Sequence, residues 1–160
     1  MKDKILTVVV SRNNPVLLRY MFDTVERYSS GYDTDIVIAD ASSDQPAQLK
    51  VLDGLSKKYE IQTVPNGRVE TNYNEVWKTR RNQYKYYFFL HDDMSINSND
   101  WLKVFVDRLN GGYSEPIIQN TYLKSLPIGK VCLGNQPYRS YDAILGYPVS
   151  IPQILAEHNY

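Results

Sequence analysis

The chain has 160 residues, with 18 acidic and 18 basic side chains and a formal net charge of zero. Apolar residues make up 42% and charged residues 22%, the balance of an ordinary folded protein with one core. This composition excludes an intrinsically disordered chain, and the zero charge supplies no overall field toward nucleic acid or an anionic membrane.

Strands and helices alternate through the first two thirds. Ile5 to Val10 is a continuous apolar, β-branched run, which predicts a strand buried on both faces. After the polar loop Ser11-Arg12-Asn13-Asn14, Pro15 opens a helix, with Asn14 as its expected cap and Leu18, Met21, Phe22, Val25 and Tyr28 at helical spacing. Asp35 to Ala39 is the second strand, and Asp40-Ala41-Ser42-Ser43-Asp44 is the loop behind it. Pro46 opens the next helix, with Asp44 as a candidate cap and Leu49, Leu52, Leu55 and Tyr59 expected on its inner face.

Ile61 to Val64 reads as a short third strand, and Pro65-Asn66-Gly67 as a turn. A helix is expected from Thr71 to Tyr84, burying Tyr73, Val76, Trp77 and Tyr84. Tyr86 to Leu90 is a fourth, aromatic strand that runs into His91-Asp92-Asp93. A helix from Asp100 to Leu109 follows, with Trp101, Val104, Phe105 and Leu109 inward, and Gly111-Gly112 stops it. Beyond it, Ile128 to Leu133 reads as one more strand and the remainder as loops. The pattern predicts one α/β domain with a mainly parallel sheet and helices on both faces.

The single cysteine, Cys132, excludes an intramolecular disulfide and a thiolate zinc cluster, and its apolar neighbours Val131 and Leu133 predict a packing role. The Met-Lys-Asp-Lys start is not a signal peptide, and the longest apolar run is far shorter than the roughly 20 residues of a membrane span. The expected location is cytoplasmic or peripheral to a membrane. Fourteen tyrosines offer rings that pack with a polar tip, as half-buried core residues or as stacking platforms for a sugar or base.

In an open α/β sheet, ligands bind outside the carboxyl ends of the strands. The loops there are Ser11 to Asn14, Asp40 to Asp44 and His91 to Asp93, all polar and rich in carboxylates. That pattern points to a divalent cation, or to hydrogen bonding with a base and ribose. There is no Gly-x-Gly-x-x-Gly after the first strand, no P-loop and no Gly-x-Ser-x-Gly, so dinucleotide binding, P-loop chemistry and serine hydrolysis lack their usual supports.

Four segments in order resemble the nucleotide-binding half of family-2 glycosyltransferases of the GT-A fold. They are Arg12-Asn13-Asn14-Pro15, Ala39-Asp40-Ala41-Ser42-Ser43-Asp44, Asn66-Gly67-Arg68 with Asn74, and Phe88-Phe89-Leu90-His91-Asp92-Asp93. The last is similar to the variant that has His-Asp-Asp in place of Asp-x-Asp. The resemblance covers about residues 5 to 110. It implies a GT-A, Rossmann-like sheet, a nucleotide-diphospho-sugar donor, a hydroxyl acceptor on a glycan, lipid or protein, and Mn²⁺ or Mg²⁺ as cofactor. It implies Asp93 as the metal carboxylate, His91 as a second metal contact where the common motif has its first Asp, and Asp40 as the acceptor for a uracil-type base. Ser11, Arg12, Asn13, Arg68, Asn74 and, secondarily, Asp92 complete the implied nucleotide-sugar site; Arg80 and Arg81 read as a solvated helix face.

Departures from the family pattern are Ala39, where a second Asp is common, and Glu75, where a Gly follows the Asn. The acceptor half is also expected to be reduced. After Glu115 the only acidic residues are Asp142 and Glu157, and neither sits in a Glu-Asp pair that would supply a general base. Residues 1–110 therefore read as the nucleotide-sugar-binding region and 111–160 as a reduced or incomplete acceptor side of the same domain. The two functions that follow are a metal-dependent sugar transferase and a non-catalytic nucleotide-sugar-binding module, completed by an oligomer or a partner chain.

Overall fold

The computed structural model describes residues 4–81, 83–96, 99–110, 131–133 and 145–146. Its centre is β1 (Ile5–Ser11), every residue of which is buried. β1 pairs in parallel with β2 (Thr34–Asp40) on one side and with β4 (Tyr86–His91) on the other. β3 (Glu60–Thr63) extends the sheet beyond β2, and β6 (Val131–Leu133) extends it beyond β4. The order is β3-β2-β1-β4-β6, all parallel.

Alternation along the strands sorts the side chains onto two faces. Ile5 and Val9 of β1, Ile38 of β2 and Tyr86, Phe88 and Leu90 of β4 meet three helices: α1 (Pro15–Arg27), α2 (Pro46–Ser56) and α4 (Trp101–Asn110). Leu6, Val8 and Val10, with Val37, Ala39, Tyr87 and Phe89, meet Tyr73 and Val76 of α3 (Val69–Arg80) on the other face. Full burial of each Val, Leu, Ile or Phe is worth about 1.5–3 kcal/mol, so these two layers dominate stability. The expected α/β architecture with helices on both faces is therefore present.

The helix faces differ from expectation in one instructive place. Leu49 is 48% exposed, while its neighbour Gln48 is fully buried on the inner side of α2. Leu52 and Leu55 do face the core, and Tyr59 packs against it from beyond the helix. Tyr84 also lies outside its helix, since α3 ends at Arg80, and its ring meets Tyr87 edge-on. Arg80 does not lie on a solvated face. It pairs with Glu60 and Gln62 and ties the end of α3 to β3. The expected inward positions Val104, Phe105 and Leu109 and the Cys132 side chain lie outside the described side chains, as do residues 111–130.

The path from β4 to α4 is not a plain strand-to-helix step. After Asp93 the chain runs back along α1 through β5 (Ser95–Ile96), where the Ile96 N–H donates to Thr24 Oγ1 at 2.9 Å. β5 pairs antiparallel with β7 (Leu145–Gly146), and together they form a second small sheet. α4 then starts beside the far end of α1: Asp100 N donates to Ser29 O at 2.7 Å and Leu102 N to Ser30 O at 3.0 Å.

That junction needs a glycine. Gly31 has φ +75°, and a Cβ there would stand 2.8 Å from Asp100 Oδ1 and 3.1 Å from the Asp100 Cα. Gly31→Ala is expected to destabilise the fold by about 1–2 kcal/mol, from the left-handed backbone and the clash together. Chemical denaturation of the two proteins measures it, and an unchanged midpoint would refute the account.

Candidate functional site

Register brings the site together. β1 pairs with β2 as Ser11↔Asp40, and with β4 as Val10↔His91. One step further, the Asp92 N–H donates to Val10 O at 3.2 Å, which places Asp92 beside Ser11. Asp40, Ser11 and Asp92 thus form a row across three adjacent strands at the carboxyl edge. All three follow the alternation of the face that carries α1, α2 and α4, behind Ile38, Val9 and Leu90 respectively. With strands about 4.8 Å apart, the outer two backbones are about 10 Å apart. The gap between β1 and β4 is also where strand order reverses, which is the crevice that open α/β sheets offer to ligands.

Asp92 is tied directly to Ser11. Ser11 Oγ donates to its Oδ2 at 2.7 Å, and the Asn14 side chain and the Arg12 backbone N–H stand near enough to favour its charged form. Burial nevertheless pushes its carboxyl up to about 6, assisted by the neighbouring Asp93 charge and opposed by those groups. Ser11 is itself buried and accepts from Gln48 Nε2 at 2.9 Å, while Gln48 Oε1 accepts the Asn14 N–H at 3.1 Å.

Asp40 is held differently. Its Oδ2 accepts the Ser43 N–H at 3.1 Å. Its Oδ1 is buried and has no hydrogen-bond partner, in a residue only 4% exposed. The loop behind it is rigid. Ser42 adopts a left-handed φ of 53°, and its hydroxyl donates to Val64 O at 2.8 Å. Asn13, also left-handed at φ 48°, clamps that loop to the β1 loop: its Oδ1 accepts both Asp44 N and Gln45 N at 3.1 Å, and its Nδ2 donates to Asp44 Oδ1 at 2.7 Å. Asp44 and Asn14 therefore do not cap helices with their side chains. The N-cap of α2 is Gln45, and although Asn14 is the N-cap of α1, its side chain makes no cap hydrogen bond.

His91 lies on the α3 face, with its ring edge-on to Tyr73 at 5.8 Å between centroids. Burial lowers its pKa below 6.5, against the pull of Asp93, which keeps the imidazole neutral near pH 7. Asp93 is exposed in the turn after β4 and close enough to act on both His91 and Asp92. Arg12 is exposed in the β1 loop, and Arg68 is exposed as the N-cap of α3. Asn74 is half-buried on α3, whereas Asn72, two residues earlier, is 2% exposed with an unpartnered, buried Oδ1.

The structure thus joins Ser11, Arg12, Asn13, Asp40 and Asp92 in one hydrogen-bonded edge. It sets His91 on the opposite face, and leaves Arg68 and Asn74 on α3. Gln48 and the Asn14 side chain were not expected in the network, and one signal for Gln48 was available: a polar residue at a helical spacing of four from Leu52. Among the described residues no three His, Cys, Asp or Glu side chains converge on a metal position. Among them, too, no helix is long and apolar enough to cross a membrane. No protein-family model matches the chain, and no curated protein sequence matches it significantly.

The raised pKa of Asp92 has a definite sign. Its proton binds more tightly in the folded state, so the stability it contributes is full below 3.8 and is lost as pH rises through about 6. Asp92→Asn lacks this loss. Its stability relative to the parent should improve by roughly 1–2 kcal/mol between pH 4 and pH 7.5, allowing for solvent screening. Urea melts of both proteins across that range check it, and a constant difference would refute it.

Proposed function

We propose that this chain binds a nucleotide-diphospho-sugar at the β1–β2–β4 edge and, with Mn²⁺ or Mg²⁺, moves its sugar to a hydroxyl acceptor as a glycosyltransferase. The observation that carries the reading is the buried, unpartnered Oδ1 of Asp40. An orphaned buried acceptor costs about 1–3 kcal/mol, and a ligand N–H or O–H would recover it. The imide N–H of a uracil-type base has the matching polarity.

The metal fits a site of few protein ligands. Exposed Asp93 would hold it, beside neutral His91, with diphosphate oxygens and water completing the shell, as hard divalent cations commonly arrange. An ion held there would supply charge neutralisation for a departing nucleoside diphosphate. Arg12 and Arg68, both exposed near this edge, suit the diphosphate oxygens. The constrained Ser42 and Asn13 loops hold Asp40 in place, so little ordering cost falls on binding.

Asp40→Asn gives a sharp test. The Ser43 N–H can only donate, so it would take the amide oxygen and leave the Asn nitrogen at the Oδ1 position. The orphaned buried acceptor becomes a donor, with the loop intact. Affinity for UDP with Mn²⁺ should fall about tenfold or more, and CDP, whose ring nitrogen accepts, should gain relative to UDP. Asp93→Ala should abolish the metal dependence. Calorimetric titration of nucleoside diphosphates with and without Mn²⁺ reads both, and metal-independent or absent binding by the parent protein would overturn the reading. Release of sugar from a nucleotide sugar separates the transferase from a binding module.

A further inference from the structure

We propose that Gln48 is the positioning residue of this site: through Ser11 it fixes the direction of a proton chain that holds the Asp92 carboxylate in place. The inference deepens the donor-site reading, on which its ligand-binding part rests. Its geometric part stands on the hydrogen bonds alone.

The chain is set from one end by a backbone group. The Asn14 N–H can only donate, and it donates to Gln48 Oε1 at 3.1 Å. That decides which end of the amide is oxygen, so the other end, Nε2, is a donor. Nε2 lies 2.9 Å from Ser11 Oγ and must donate to it. With that lone pair used, the Ser11 proton points to Asp92 Oδ2 at 2.7 Å. Every link has one allowed polarity, and Gln48 is fully buried, so no solvent competes for it.

Two consequences follow. The single Ser11 proton is committed to Asp92, so Ser11 orients that carboxylate and has no proton left to donate to a phosphate. And α2 is linked to the carboxyl end of β1 by the Gln48 side chain. The buried polar position on an otherwise apolar helix face is the mark of this role. Leu49, one residue on, is left outside.

The test needs a readout that general loosening would not move. In the ligand-free protein, scalar couplings should report one χ1 rotamer for Asp92. Gln48→Met matches Gln in length and shape but has no donor for Ser11. It should give averaged couplings at Asp92, as should Ser11→Ala, with the fold retained by circular dichroism. If Gln48→Met fails to fold, Gln48→Glu, which turns an acceptor toward Ser11, should give the same averaging. An unchanged single rotamer in the Gln48 variant overturns the proposal.

The second arm titrates Mn²⁺ with UDP. Gln48→Met and Ser11→Ala should each weaken binding about tenfold, and the double variant should be no weaker than either one, because both act through one link. Losses that multiply to about a hundredfold would mean separate structural roles and would overturn it. If the parent protein binds no Mn²⁺–UDP, the donor reading fails, and the Asp92 rotamer decides the role of Gln48 by itself.

Discussion

The rest of the site depends on the parallel register of β1 with its two neighbours. β1 is buried throughout and apolar from Ile5 to Val10 except for Thr7, and it ends in the polar Ser11. Because parallel strands run in the same direction, all the polar ends fall on one edge, and the register decides which of them are side by side. A slip of one residue on β4 would put His91 next to Ser11 and turn Asp92 to the α3 face. The aromatic run from Tyr86 to Leu90 prevents that slip, since alternate residues are committed to two different cores.

The two carboxylates on either side of Ser11 are treated in opposite ways. Asp92 accepts from Ser11, with Asn14 and the Arg12 backbone close by, and still carries a raised pKa because burial beside Asp93 outweighs them. It is a carboxylate held in a place where its charge is disfavoured, which makes the edge receptive to positive charge. Asp40 has one oxygen satisfied by its own loop and the other left bare in the interior. Strain sits next to it, in the left-handed Ser42, where a non-glycine residue persists only because Asp40, Val64 and the β1 loop surround it.

Much of this was legible in the sequence, for identifiable reasons. β1 and β4 were marked by apolar runs buried on both faces, the starts of α1 and α2 by Pro15 and Pro46, and the candidate edge by polar residues directly behind three strands. What failed were features set by tertiary hydrogen bonds. Hydrophobic spacing put Leu49 inside α2, but Gln48, bonded to Ser11 and Asn14, holds the inner position in the first turn beside Leu52 and Leu55 and leaves Leu49 outside. Asp44 and Asn14 look like caps, yet the Asp44 carboxylate bonds across to Asn13 and the Asn14 side chain makes no cap bond. The two-residue β5 has too little sequence for any periodicity, and α4 begins where Gly31 and Ser29 receive it, not where β4 ends.

Alternation also explains why the weight within His91-Asp92-Asp93 was hard to read. Strand geometry sends His91 to the α3 face and Asp92 to the opposite one, and the turn exposes Asp93. Read as a metal motif, the outer two residues stand together and the middle one is incidental. In three dimensions the middle one is the anchor. Its bonds to the β1 loop fix the end of β4, and the end of β4 fixes where Asp93 stands. Asp93 stands exposed on the turn, and the turn is positioned by the anchored residue before it. Asp92 and Asp93 thus have complementary demands, one for donors and burial, the other for exposure, and adjacent positions at a strand end meet both.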